Sequence, residues 1–146
     1  MITYNLDHCN YKFTDRRKIN RWLKESAAAE GYLMGDLNII FCSAERLLEI
    51  NREFLQHDYF TDIITFDYSD LSEGYISGEL YIDVETVADN ATQYGTTPLH
   101  EMHRILVHGV MHLCGQADKS PADAQAMRAK EERYLTALSA LTSARS

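Results

Sequence analysis

Apolar and polar residues alternate over Ile2-Thr3-Tyr4-Asn5-Leu6, the period of a strand with one buried face. From Thr14, read as an N-cap, the period lengthens. Ile19, Trp22, Leu23 and Ala27 recur at helical spacing to about Glu30, where Gly31 or Gly35 ends the helix. Leu37 to Cys42 reads as a strand, and Ser43 opens a helix whose apolar stripe is Leu47, Leu48, Ile50 and Phe54. Asp62 to Phe66 and Ile76 to Ile82 read as two further strands around an acidic loop, with a short helix over Val84 to Gln93. Thr97-Pro98 supplies an N-cap and an N1 proline, after which Leu99, Met102, Leu106, Val110 and Leu113 run at helical spacing to Gly115. Ser120-Pro121 repeats that start for a last helix to about Leu141. No Gly/Ser or Pro-rich linker interrupts this order. The pattern predicts a single domain over residues 1–146, of α/β (α+β) class, with a small mixed sheet of about four strands packed with helices.

Composition narrows the setting. At 45% hydrophobic residues the chain can build a core, and no apolar run reaches membrane-spanning length. The start, Met1-Ile2-Thr3-Tyr4-Asn5, has neither the basic nor the apolar stretch of a signal peptide. Three scattered cysteines, Cys9, Cys42 and Cys114, make no CxxC pair, so a reducing cytoplasm is the expected location. A monomer is the expected state. The net charge of -8 is uneven: Glu53 to His103 holds eleven acids and no Lys or Arg. Lys12 to Lys24 instead carries six basic residues against Asp15 alone. Such a helix can contact phosphates, and Arg16, Arg17, Arg21 and Lys24 are its candidate nucleic-acid-binding residues.

The chemistry concentrates in His108-Gly109-Val110-Met111-His112-Leu113-Cys114-Gly115-Gln116-Ala117-Asp118. Histidines four apart on a helix set their imidazoles one above the other. Gly115 can stop the helix in a left-handed turn, and the reversed chain can swing the Asp118 carboxylate toward both rings. Two imidazoles and one carboxylate make a three-ligand zinc site with a position left for water. The pattern arises by chance in on the order of one chain in a thousand of this size. Cys114, two residues past His112, points away around the helix and reads as core. His8, His57, His100 and His103 read as structural.

The run resembles the long zinc motif of metzincin peptidases, except that Gly109 stands where those enzymes carry the glutamate that takes a proton from water. That departure counts against peptide hydrolysis. The chain is more similar to the YbeY endoribonucleases, whose signature is roughly H-G-x-L-H-L-x-G-Y-D-H. Upstream, Ile50-Asn51-Arg52-Glu53-Phe54 with Thr61-Asp62-Ile63-Ile64-Thr65-Phe66 resembles that family's L-N-x-x-[YF]…T-D-V-L-S-F segment. Ser77-Gly78-Glu79-Leu80-Tyr81-Ile82 resembles its L-G-D-I-x-I strand.

The resemblance implies a zincin-like fold and one zinc ion per chain on His108, His112 and Asp118. It further implies cleavage of single-stranded RNA in rRNA processing, with maturation of the 16S rRNA 3′ end and ribosome quality control as the setting and rRNA or a ribosomal subunit as partner. Two positions depart from the family: Asp118 replaces a histidine ligand, and Leu55 replaces an arginine. Arg104 and Lys119 are candidates for the missing phosphate contact. Thr61 and Asp62 are expected to fix a loop near the cleft. Metal-activated water and the substrate's own 2′-hydroxyl both remain open as nucleophile. A metal-dependent hydrolase of another substrate, peptides included, and a noncatalytic assembly factor with structural zinc are the competing functions.

Overall fold

The computed structural model describes residues 1–57 and 61–143. Among these lie four strands, β1 (Ile2–Asp7), β2 (Leu33–Cys42), β3 (Ile63–Asp67) and β4 (Tyr75–Asp83). The helices are α1 (Arg16–Ala29), α2 (Ala44–Leu55), α3 (Val84–Gln93), α4 (Pro98–Leu113) and α5 (Pro121–Ser143). The strands form one mixed sheet in the order β1-β2-β4-β3, parallel except for the antiparallel β3–β4 pair. The expected class therefore holds.

Period-2 alternation distributes the sheet's side chains between two layers. Leu37, Ile39 and Phe41 of β2 and Ile76, Leu80 and Ile82 of β4 join Ile19, Trp22 and Leu23 of α1, the apolar residues of α4, and Met127, Tyr134 and Leu138 of α5. On the other side Cys42 and Ile64 pack against Leu47 and Ile50 of α2. β2 is covered on both sides near its end, which is why Leu37, Ile39, Ile40, Phe41 and Cys42 read as an almost unbroken apolar run. The Trp22 indole donates to the Tyr134 carbonyl at 2.6 Å, and Lys130 and Tyr134 both reach Glu30. These bonds tie the last helix to the first.

Several boundaries shift for local reasons. Thr14 does not cap α1; the helix starts two residues later, after Asp15 at φ 60, because Phe13 is held in the core against Tyr4 and Phe41. Gly31, not Gly35, lies just past the end of α1. Gly35 sits inside β2, which begins at Leu33 and is irregular between Met34 and Leu37. Phe54 and Leu99, assigned to apolar stripes, are exposed; Phe54 still meets Phe66 edge-on at 6.0 Å. The caps at Ser43, Asp83 and Thr97 accept backbone N–H groups as their residue types require.

His103 faces α1 from α4, edge-on to Phe13 at 6.3 Å and to Trp22 at 6.0 Å. Burial, helped by the charges of Lys18 and His100, lowers its pKa from 6.5 to about 4. A histidine depressed in this way stabilises the fold above about pH 6.5, and that contribution is lost as the pH falls toward about 4. Replacing it with leucine should flatten the loss of stability across this window by up to about 1.4 kcal/mol per pH unit, read from urea denaturation at several pH values. An unchanged slope in His103→Leu would assign the acid sensitivity to other groups.

Candidate metal centre

Helix α4 is apolar nearly all round: Met102, Ile105, Leu106, Val107, Val110, Met111 and Leu113 are buried. One row is polar. His100, Arg104, His108 and His112 follow one another at intervals of four and form a single ridge along the helix. Beyond it, Gly115 at φ +94 completes a hydrogen-bonded C-terminal turn. Its N–H reaches the His112 carbonyl at 3.0 Å, and the Gln116 N–H reaches Met111 at 3.0 Å. That turn sends the chain back across the end of the ridge and delivers Asp118.

Three donor atoms converge there. His108 Nε2 and His112 Nε2 are 3.1 Å apart, and Asp118 Oδ2 lies 3.2 Å from His112 Nε2 and 3.5 Å from His108 Nε2. Ligand atoms bound tetrahedrally to zinc at about 2.0–2.1 Å stand about 3.3–3.4 Å from one another, so the triangle already has the edges of such a site. Lone pairs this close repel unless a proton or a cation lies between them. The group can hold a metal ion.

A buried network stands behind the triangle. Glu131, from α5, accepts from His108 Nδ1 at 2.6 Å, which leaves Nε2 of a neutral ring as the bare acceptor facing the other two donors. Arg104 donates to Glu131 at 2.9 Å and to both oxygens of Glu101 at 2.8 and 2.5 Å. Both carboxylates are buried. Burial alone would raise the Glu131 carboxyl, but the hydrogen bonds and charges of His108 and Arg104 hold it below its ordinary value. The Glu101 bonds push the Arg104 guanidinium up, against the opposing effect of its own burial. Asp62 shares the electrostatics of this region: burial raises its pKa while the charges of His108 and Arg104 oppose the rise.

The other candidates occupy distinct places. Arg104 lies beside the triangle, with its fork directed to Glu101 and Glu131. Lys119 is exposed, next to Asp118. Arg17, Arg21 and Lys24 line a surface hollow on α1 with Asn20 and Glu25, while Arg16 lies over the Tyr4 ring at 5.1 Å. Their helix contacts α4 through Trp22 and His103. Position 103 is about 140° around α4 from 108, so the structure does not bring this basic face to the triangle. Leu55 is 40% exposed at the end of α2. Cys114 packs at the core's edge, and burial pushes its thiol up to about 12. A Cβ at Gly109 would lie 2.9 Å from both Leu80 methyls and 3.1 Å from Ile63, so the residue after the first histidine faces the sheet. Glu101 and Glu131 are the buried carboxylates behind the triangle that periodicity missed. Their signal is that Glu131 interrupts the stripe Met127, Tyr134, Leu138.

Fold and site together define a mixed α/β protein whose central helix presents a two-histidine, one-aspartate group. The family model for Endoribonuclease YbeY matches residues 2–139. A relative of that name from Phocaeicola vulgatus is 42% identical over 95% of this chain and 99% of its own length. Another from Cytophaga hutchinsonii is 46% identical over 92% of this chain and 94% of its own. A solution structure of a Thermotoga maritima protein superposes with a TM-score of 0.68 at 21% identity, covering 99% of this chain and 93% of that one, and so shares the fold. The chain belongs to the endoribonuclease YbeY family.

Removing Arg104 would strip the guanidinium from two buried carboxylates and leave Glu131 only its bond from His108. Arg104→Met should destabilise the protein by about 3–5 kcal/mol in urea denaturation. Arg104→Lys should recover only part of that, because an ammonium cannot bridge two carboxylates with a planar fork. Parent-like stability in Arg104→Met would show that the network carries no folding energy.

Proposed function

We propose that the whole chain, residues 1–146, acts as one zinc-dependent endoribonuclease domain. It hydrolyses phosphodiesters of single-stranded RNA in rRNA processing, with maturation of the 16S rRNA 3′ end and ribosome quality control as the cellular role. The observation that carries this reading is the donor triangle of His108, His112 and Asp118 at edges of 3.1, 3.2 and 3.5 Å, in a chain of the YbeY family. The relatives' names support RNA as the substrate class. Processing of rRNA places the work in the cytoplasm, on a ribosomal subunit or its precursor, and no helix among the described residues is long and apolar enough to cross a membrane.

His108, His112 and Asp118 bind one zinc ion, and Glu131 holds the proton on His108 Nδ1 so that Nε2 is free to coordinate. Arg104 orients Glu131 and is a positioning residue. Bound there, zinc supplies Lewis-acid polarisation of a phosphoryl oxygen and a lowered pKa for water. Three protein ligands leave a coordination position for substrate or water, unlike the four that normally close a structural zinc site. Gly109, packed on the sheet, offers no carboxylate to act as the base of a peptidase.

The test pairs zinc titration with cleavage of single-stranded RNA and of a peptide. Asp118→Ala should lower zinc affinity by more than about 100-fold, since even outer partners of a ligand are worth about 10–100-fold. Asp118→His should recover much of that, and Asp118→Asn should fall between, keeping an oxygen donor without the charge. RNA cleavage should follow zinc occupancy and stop in His108→Ala, with no peptide turnover by any form. Equal zinc affinity across the Asp118 series would remove Asp118 from the site. Peptide turnover without RNA cleavage would overturn the ribonuclease assignment.

A further inference from the structure

Beside the donor triangle, α4, α5 and the turn between α3 and α4 frame an open cavity of about 510 Å³. His108 and Asp118 line it, and so do Tyr94 and His100, with Arg128 on α5. From His108 back to His100 the helix covers about 12 Å, enough for a sugar and base beside a phosphate. The volume lies within the range of small-ligand sites. We propose that this cavity binds the nucleotide next to the scissile phosphate, with Arg128 holding a backbone phosphate and the Tyr94 ring stacking the base. The inference rests on the ribonuclease reading and adds the strand's path to it.

Charge selects Arg128. The guanidinium of Arg104 also lines the cavity, but its fork is taken up by Glu101 and Glu131. Arg128 has no ion-pair partner among the described residues, and it stands on the cavity wall where a phosphate can meet it. The lining holds four carboxylates, Glu101, Asp118, Glu131 and Glu132, against those two guanidiniums. One divalent cation at the triangle cancels this excess of two negative charges. The cavity therefore accepts a polyanion when the metal is bound and repels it when the metal is absent.

Shape selects the base. Tyr94 is the C-cap of α3, is 66% exposed, and meets no other aromatic ring among the described residues. An exposed tyrosine at the rim of a polar cavity offers a broad apolar face with little side-chain freedom to lose. Stacking on such a ring tolerates any base, because every base has a π-face. A base held there cannot remain stacked and paired in a duplex, so the site favours single strands.

Fluorescence anisotropy and cleavage kinetics with a short single-stranded RNA and zinc-loaded protein test this, with zinc content measured for every variant. Tyr94→Ala should weaken RNA affinity by about 5–150-fold, the equivalent of one lost base stack, while Tyr94→Phe binds like the parent. Arg128→Ala should weaken binding and make the slope of log affinity against log salt shallower by about 0.7. Zinc content should be unchanged in all three variants, and RNA affinity of the parent should fall when zinc is removed. If the parent cleaves RNA and both alanine variants bind and cleave like it, the nucleotide lies elsewhere and the ribonuclease reading stands alone. Equal losses in Tyr94→Phe and Tyr94→Ala would rule out stacking. A zinc-loaded parent that neither binds nor cleaves RNA would overturn both readings.

Discussion

The Glu131 carboxylate meets Nδ1 of His108 at 2.6 Å, from a helix that begins only after the chain has turned back at Gly115. This single contact sets which nitrogen of His108 faces the donor triangle, and a buried carboxylate can make it only with its own charge balanced. Arg104 provides that balance and spends the rest of its fork on Glu101, so four side chains from two helices form one unit. Leaving Arg104 out strips the guanidinium from both buried carboxylates, which is far more costly than losing a surface ion pair. The position of α5 therefore matters as much to the centre as the motif on α4. That position depends on remote contacts: the Trp22 indole on the Tyr134 carbonyl, and Lys130 and Tyr134 on Glu30.

The arrangement divides labour along α4. Its apolar sides fix the helix between sheet and neighbours, with Gly109 allowing the close approach to Leu80. The ridge of His100, Arg104, His108 and His112 is left polar, with two of its members in the donor triangle, and His103 on another side packs against Phe13 and Trp22. Six polar residues within thirteen positions, Glu101 included, thus differ in use according to the side of the helix each occupies.

Much of this was legible in the chain. Thr97-Pro98 and Gly115 bracketed α4 because capping chemistry is local, and the His108/His112 pair was visible because helical spacing alone superposes them. The elements came in the right order and number for the same reason. Boundaries failed where tertiary contacts overrode local signals, as at Thr14, where Phe13 is drawn into the core, and at Gly35, which β2 absorbs at an irregularity. Strand order was not legible, because pairing β2 with β4 past β3 is decided by packing, not by period. Glu131 was hidden in Lys130-Glu131-Glu132-Arg133, a run that looks like a solvated face. Only its place four residues after Met127 and three before Tyr134 marks it as inward. The parting of the basic α1 face from the centre was equally invisible, since it depends on which side of α4 each helix packs.

The tautomer of His108 in metal-free protein is the most direct test of this account, because it reports the Glu131 contact without metal, substrate or turnover. Nitrogen-15 NMR of the histidine rings, recorded at alkaline pH where the rings are neutral, distinguishes the two forms. With Glu131 accepting from it, His108 should carry its proton on Nδ1 and leave Nε2 bare. A His108 ring protonated on Nε2 would contradict it.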